Sequence, residues 1–96
     1  MSTLAPLCTF VKDPNATLDF DVDWTLWLNG DTIVASSWTV PAGLTTPFAD
    51  TFTAAGIAKV WLGGGTVDSA YACVNHITTA GGRQDDRTLT IRVQDK

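Results

Sequence analysis

The side chains best equipped for chemistry in this chain are few and scattered. His76 is the single histidine. A catalytic histidine needs a nucleophile or carboxylate to work with, and a metal site needs several His or Cys ligands. Asp19, Asp21 and Asp23 stand at i, i+2, i+4. On a strand that spacing lines them up on one face about 6–7 Å apart. Carboxylates so placed suit acid–base work or a bridging cation, but the Gly and closing Glu of an EF-hand loop are missing. The plainer reading is a charged outer face that discourages edge-to-edge pairing. Arg83, Asp85, Asp86 and Arg87 surround Gly81-Gly82. No Lys-Ser/Thr pair follows, so this is no phosphate cradle. It reads as a hairpin ordered by local ion pairs, or as a charged tip that sets register with a partner. Cys8 and Cys73 leave a disulfide or a buried reduced thiol open. No nucleophile–base pair and no metal cluster emerges, so the expectation is no catalytic residue, no cofactor and no metal.

The elements that must position these residues are strands. Tyr71, Cys73, Asn75 and Ile77 alternate with Ala72, Val74, His76 and Thr78, a period of two. Leu18, Phe20, Val22 and Trp24 alternate with the three Asp, the pattern of a half-buried strand. Further strands are expected at 9–12, 32–40, 51–53, 57–62 and 88–93. Within 32–40, Trp38 favours packing the Val34, Ser36, Trp38, Val40 set inward. Asn29-Gly30 predicts a hairpin turn, and 80–86 predicts a second hairpin loop. Only 49–58 offers room for a short helix. The expected core is Phe20, Val22, Trp24, Trp38, Val60, Leu62, Tyr71, Cys73, Ile77, Leu89, Ile91 and Val93.

Composition agrees with strands. The chain has 96 residues, 45% of them hydrophobic, and a net charge of −4, and all its acidic residues are Asp. Asp favours turns where Glu favours helices. Six basic residues without a stripe argue against nucleic acid. No apolar run approaches the ~20 residues of a membrane span, and the first residues lack the pattern of a signal peptide. The chain reads as a protein made in the cytosol. Four Trp are many for this length. Trp24, Trp38 and Trp61 suit core positions, whereas Trp27, beside a turn, suits an interface anchor or a carbohydrate platform.

Asp68-x-x-Tyr71-x-Cys73 resembles the tyrosine corner that opens strand F of immunoglobulin-like sandwiches. Six or seven short strands with turns between them fit the same architecture. The expected fold is an all-β, immunoglobulin-like antiparallel β-sandwich of about seven strands, spanning residues 9–96 behind an N-terminal arm of residues 1–8.

Longer segments carry a more specific resemblance. Lys12–Phe20 (KDPNATLDF), Trp24–Ile33 (WTLWLNGDTI), Ser37–Leu44 (SWTVPAGL), Val60–Thr66 (VWLGGGT) and Asn75–Arg92 (NHITTAGGRQDDRTLTIR) are similar to small tailed-bacteriophage virion proteins called fibre–tail adaptors. The resemblance implies a non-enzymatic virion component, assembled in the host bacterial cytoplasm and present in several symmetry-related copies. Its partners would be other virion proteins of the tail, the fibre or the major capsid, with no nucleic acid and no membrane. A capsid decoration protein is the alternative from the same material, and a carbohydrate-binding module using Trp27 the alternative of another class. Contacts are expected at loops and edges. The expected interface residues are Leu4 and Leu7 in the apolar arm, Trp27, and Arg83, Asp85, Asp86 and Arg87 in the 80–87 loop.

Overall fold

The structure is a computed structural model that describes residues 8–95. The expected arm falls outside it except for Cys8, which already belongs to the first strand. The elements are β1 (Cys8–Lys12), β2 (Leu18–Asp23), α1 (Thr25–Leu28), β3 (Ile33–Thr39), β4 (Leu44–Thr45), β5 (Thr51–Phe52), β6 (Ile57–Gly64), β7 (Ala70–Thr79) and β8 (Gln84–Val93). One sheet runs β1-β8-β7-β3; the other runs β2-β6-β4, with β5 also on β6. All pairings are antiparallel except the first: β1 lies parallel to β8, with Cys8 opposite Leu89 and Lys12 opposite Val93. The all-β, immunoglobulin-like sandwich read from the sequence is the fold observed.

The alternation of polar and apolar residues sorts the two faces. Phe20, Val22 and Trp24 from the β2 segment, Val60 and Leu62 from β6, Cys73 and Ile77 from β7, and Leu89, Ile91 and Val93 from β8 are buried together. Trp38 and Tyr71 are only partly buried against this core. Leu18 stays exposed, and Trp61 lies half-buried on the other face of β6, edge-on to Phe48. Leu28, Ile33, Leu44 and Ala58 complete the core.

Asn75 is a fully buried amide with every arm used. Its Oδ1 accepts from Trp24 Nε1 at 2.9 Å, and its Nδ2 donates to Ser36 Oγ at 2.9 Å and to the Ser37 carbonyl at 3.0 Å. A buried polar group without partners would be costly; this one ties the segment after β2 to the β7–β3 pair. The expected corner is also present. Tyr71 reaches back so that its hydroxyl accepts the Thr66 N–H at 2.9 Å. Its ring lies where a Cβ on Gly43 would come within 2.9 Å, at a φ of 106°.

Three local expectations change. Asn29-Gly30 does not close a hairpin, because β2 and β3 belong to different sheets. The chain instead winds one helical turn, α1, and Asn29 ends it in the left-handed region (φ 49°, ψ 51°). Asn is one of the few residues that adopt this conformation readily. No helix occupies 49–58; the strand expected at 51–53 forms there as β5. In β3 a bulge between Ile33 and Ala35 inserts a residue. Ile33 therefore points inward and Ser36 and Trp38 do too, while Val34 is 55% exposed. A bulge resets the alternation, so neither single-face reading of 32–40 holds along its whole length.

The cysteines occupy positions in register with the same residue, Leu89, from its two sides. Their strands are two spacings apart, roughly 9–10 Å, beyond the Cα separation a disulfide spans. Cys73 is a buried free thiol whose pKa burial pushes up to about 11, which makes it a small apolar filler.

Candidate functional site

The sandwich has one end where sequence-distant polar groups converge on α1. Two large side chains, Trp24 and Leu28, anchor the turn from below and are buried. Asp23 holds its start: Oδ1 accepts both the backbone N–H of Thr25 at 2.9 Å and its hydroxyl at 2.6 Å. These bonds, the hydroxyl's first, keep the Asp23 carboxyl below its usual pKa. The end of a helix leaves carbonyls without intrahelical donors, and α1 carries no basic residue of its own there. Arg83 supplies the donors. Its Nη2 bonds the Leu28 carbonyl at 2.7 Å and its Nη1 the Trp27 carbonyl at 3.2 Å. The guanidinium also lies over the Trp27 ring, 4.2 Å from the ring centre, and Trp27 meets Trp24 edge-on at 5.2 Å.

Asp31 completes the junction. Its carboxylate takes the Thr32 N–H at 2.8 Å, the Gly81 N–H at 3.1 Å and Arg83 Nε at 3.2 Å. The Thr79 hydroxyl, first, and the Thr32 N–H, next, hold its pKa down at about 2. Asp31 thus joins the segment before β3 to the β7–β8 turn.

That turn is shorter than its sequence suggested. It closes with Thr79 N–H on the Arg83 carbonyl at 2.8 Å and Gly82 N–H on the Thr79 carbonyl at 3.0 Å. Gly82 sits at φ 88°. β8 begins at Gln84, so Asp85, Asp86 and Arg87 are strand residues rather than loop residues. Their faces then differ. Arg87, in register with buried Asn75, turns to the core side. It lies over the Trp24 ring at 4.3 Å and donates to the Asp23 carbonyl at 2.9 Å. Asp86 turns outward. Its Oδ1 lies 2.5 Å from His76 Nδ1, and His76 Nε2 lies 3.0 Å from Gln84 Oε1. Asp85 stays exposed and accepts the Asp86 N–H at 2.8 Å.

The geometry therefore groups Trp27, Arg83 and Arg87 around α1, whereas Asp86 pairs with His76 on the opposite face of β8 and Asp85 stays exposed. Leu4 and Leu7 lie outside the described residues. Sequence reasoning passed over Asp31, the hub of the junction, and Leu26. Leu26 sits at the crest of α1 and is 94% exposed, beside an open groove of about 340 Å³ lined by Asp23, Thr25, Leu26 and Arg87. An apolar residue in the middle of Thr25–Leu28 is what a helical turn aims outward, but four residues are too few to show that period in a sequence.

The other candidates keep structural partners. Asp19 pairs with Lys59 at 3.4 Å on the exposed face of β2 and β6. Among the described residues no three His, Cys or Asp side chains gather as a metal site would require. His76 is held between two acceptors, which favours the doubly protonated ring, and the Asp86 hydrogen bond first of all raises its pKa. A histidine raised in the folded state stabilises most below its unfolded value of ~6.5, and that contribution fades as pH rises through the folded value. Both side chains are well exposed, so solvent screening limits the pair to less than about 1 kcal/mol. Wild type should accordingly lose up to that much stability between about pH 5.5 and pH 8.5 relative to His76→Gln, measured by urea unfolding.

Residues 12–92 match the family model described as Podophage GP4 fiber-tail adaptor protein gp77. The chain belongs to that fibre–tail adaptor family. The match includes Trp27, Arg83, Asp85, Asp86 and Arg87, and thus the whole junction around α1. No curated protein matches the adaptor. Among solved structures it is similar to the solution structure of the PKD domain from KIAA 1837 protein, with 12% identity, a TM-score of 0.55, and coverage of 98% of this chain and 85% of that chain. At that identity the likeness is one of fold, and it agrees with the immunoglobulin-like sandwich.

Proposed function

We propose that this protein is a non-enzymatic connector of the podophage virion, assembled in the host cytoplasm, whose α1 end docks onto a tail or fibre protein in a symmetric, multi-copy assembly. The observation that carries this reading is Leu26, 94% exposed on a turn that buried Trp24 and Leu28 and the two arginines hold in place. A turn whose backbone is already held needs little ordering on docking, which is where preorganised contacts gain affinity. Asp85 and the flanking charges would then form a polar rim that sets register. The capsid-decoration and carbohydrate alternatives draw no support from the family match. One face of Trp27 is already covered by Arg83.

The test separates docking from folding. Leu26→Asp should unfold within about 0.5 kcal/mol of wild type, as expected for an exposed position. Burying a leucine contributes roughly 1.5–3 kcal/mol, so occupancy on purified tail complexes should drop about tenfold or more. Wild-type occupancy of this variant would remove the α1 end from the contact map. Glycan binding abolished by Trp27→Ala would support the carbohydrate reading instead.

A further inference from the structure

The two outer faces of the sandwich are charged unequally. On the β2–β6 sheet, Asp19 lies opposite Trp61 and Asp21 opposite Lys59. Phe20 and Val60, between them, are buried, so strand alternation sends these four side chains outward. Lys59 reaches diagonally to Asp19 at 3.4 Å. Asp21 is exposed and has no hydrogen-bond or ion-pair partner among the described residues. Beside it stands an aromatic pair. Trp61, half-buried, meets Phe48 at 5.4 Å, and Phe48 is 58% exposed. A guanidinium suits such a place, because its charge pairs with the carboxylate and its plane stacks on a ring.

The chain makes this kind of contact within itself. Arg83 covers Trp27 and Arg87 covers Trp24, and both also bond backbone carbonyls. The third arginine of the sequence is free of such ties. Arg92 stands exposed on the outer face of β8, opposite Val11 of β1 and Ala70 of β7. Among the described residues it makes no hydrogen bond, ion pair or ring contact. Asp68 borders the same shallow cleft without pairing with it. Its neighbours on that face, Thr90 and Ala72, are small and uncharged, and Val11 is 41% exposed. The one unengaged arginine and the unengaged carboxylate beside the aromatic pair therefore lie on opposite sides of the sandwich.

We propose that Arg92 of one copy docks on Asp21 and Trp61 of the next. The outer face of the β1-β8-β7-β3 sheet is thereby joined to the outer face of the β2–β6 sheet. Val11 on one side and Phe48 on the other supply apolar contact beside the ion pair, which excludes water from it. The two faces are unlike, so the contact is heterologous and builds a ring when the rotation closes. They also point away from each other, so one copy can hold a neighbour on each. This contact rests on the multi-copy part of the proposed function and supplies its partner, a second copy of the chain; it does not involve α1.

Sedimentation of the full chain decides it. Wild type should self-associate, and more weakly as salt rises. Arg92→Asp and Asp21→Arg change exposed side chains, so each variant should keep a well-dispersed amide spectrum. Each sets like charges across the contact and should weaken self-association about tenfold or more. The two variants mixed in equal amounts give the sharpest result. When they alternate, every contact again joins opposite charges, so association should return to within about threefold of wild type. A chain that stays monomeric up to millimolar concentration overturns the proposal, as does undiminished association of both variants. A mixture that associates as weakly as its components overturns the pairing of Arg92 with Asp21. Any of these failures would leave the connector role standing, because Leu26→Asp on tail complexes reads that role separately.

Discussion

Trp24→Ala is expected to lower the free energy of unfolding by about 3–5 kcal/mol, the range for deleting a large buried aromatic. For a domain whose whole stability is about 5–15 kcal/mol, that is a large share. Three losses combine. The side chain is completely buried, so its removal leaves a cavity in the middle of the core. Asn75 Oδ1 loses its indole donor and becomes a buried acceptor without a partner. Arg87 loses the ring beneath its guanidinium. Trp24→Phe separates these effects: it keeps most of the packing and removes the N–H, so it should cost about 1–3 kcal/mol. Urea unfolding of both variants measures the difference, and an alanine variant within about 1 kcal/mol of wild type would contradict the assignment of Trp24 as the central core residue.

Arg83→Glu should destabilise the domain by about 2–3 kcal/mol, from hydrogen bonds of a charged donor and a partly exposed cation–π contact. It removes donors to the Trp27 and Leu28 carbonyls and sets a second carboxylate beside Asp31. As expected interface residues of the 80–87 loop, Arg83 and Arg87 read from the sequence as groups that meet a partner. The structure changes that, because both arginines are spent on the protein's own backbone and rings. Amide exchange should show α1 and the β7–β8 turn opening together in the variant while β6 stays protected. Any loss of particle attachment by this variant is then read through a displaced α1, and Leu26→Asp is the cleaner probe of docking.

Much of the fold was legible because strand alternation is a direct record of burial. In β2 the three Asp mark the outer face residue by residue, and in β7 and β8 the inward set runs unbroken from Cys73 and Leu89 onward. Two kinds of information were hidden. The first is a change of period: α1 is four residues long and β3 contains a bulge, and neither leaves a window in which a pattern repeats. The second is partnership across the sandwich. Nothing near Asp31 in the sequence announces that Gly81 and Arg83 will bond to it, and nothing near Trp27 announces a guanidinium over its ring. The cluster of Arg83, Asp85, Asp86 and Arg87 was visible, but alternation along β8 sends Arg87 and Asp86 to opposite faces. One residue stabilises the core end and the other pairs with His76.

The parallel placement of β1 on β8 has a mechanical consequence. The two strands run in the same direction with five residues in register, so the leading end of the first and the trailing end of the last point opposite ways along a common axis. Tension between the two ends of the folded segment therefore slides one strand along the other. In sliding, every inter-strand hydrogen bond of the pair is loaded at once, whereas peeling would break them one after another. Lys12 strengthens the same seam: its buried ammonium bonds the Gly64 carbonyl at 2.6 Å and the Asp13 carbonyl at 2.8 Å, fastening the end of β1 to the opposite sheet. In a domain joined this way, resistance to stretching is set by the barrier to shear rather than by the free energy of unfolding.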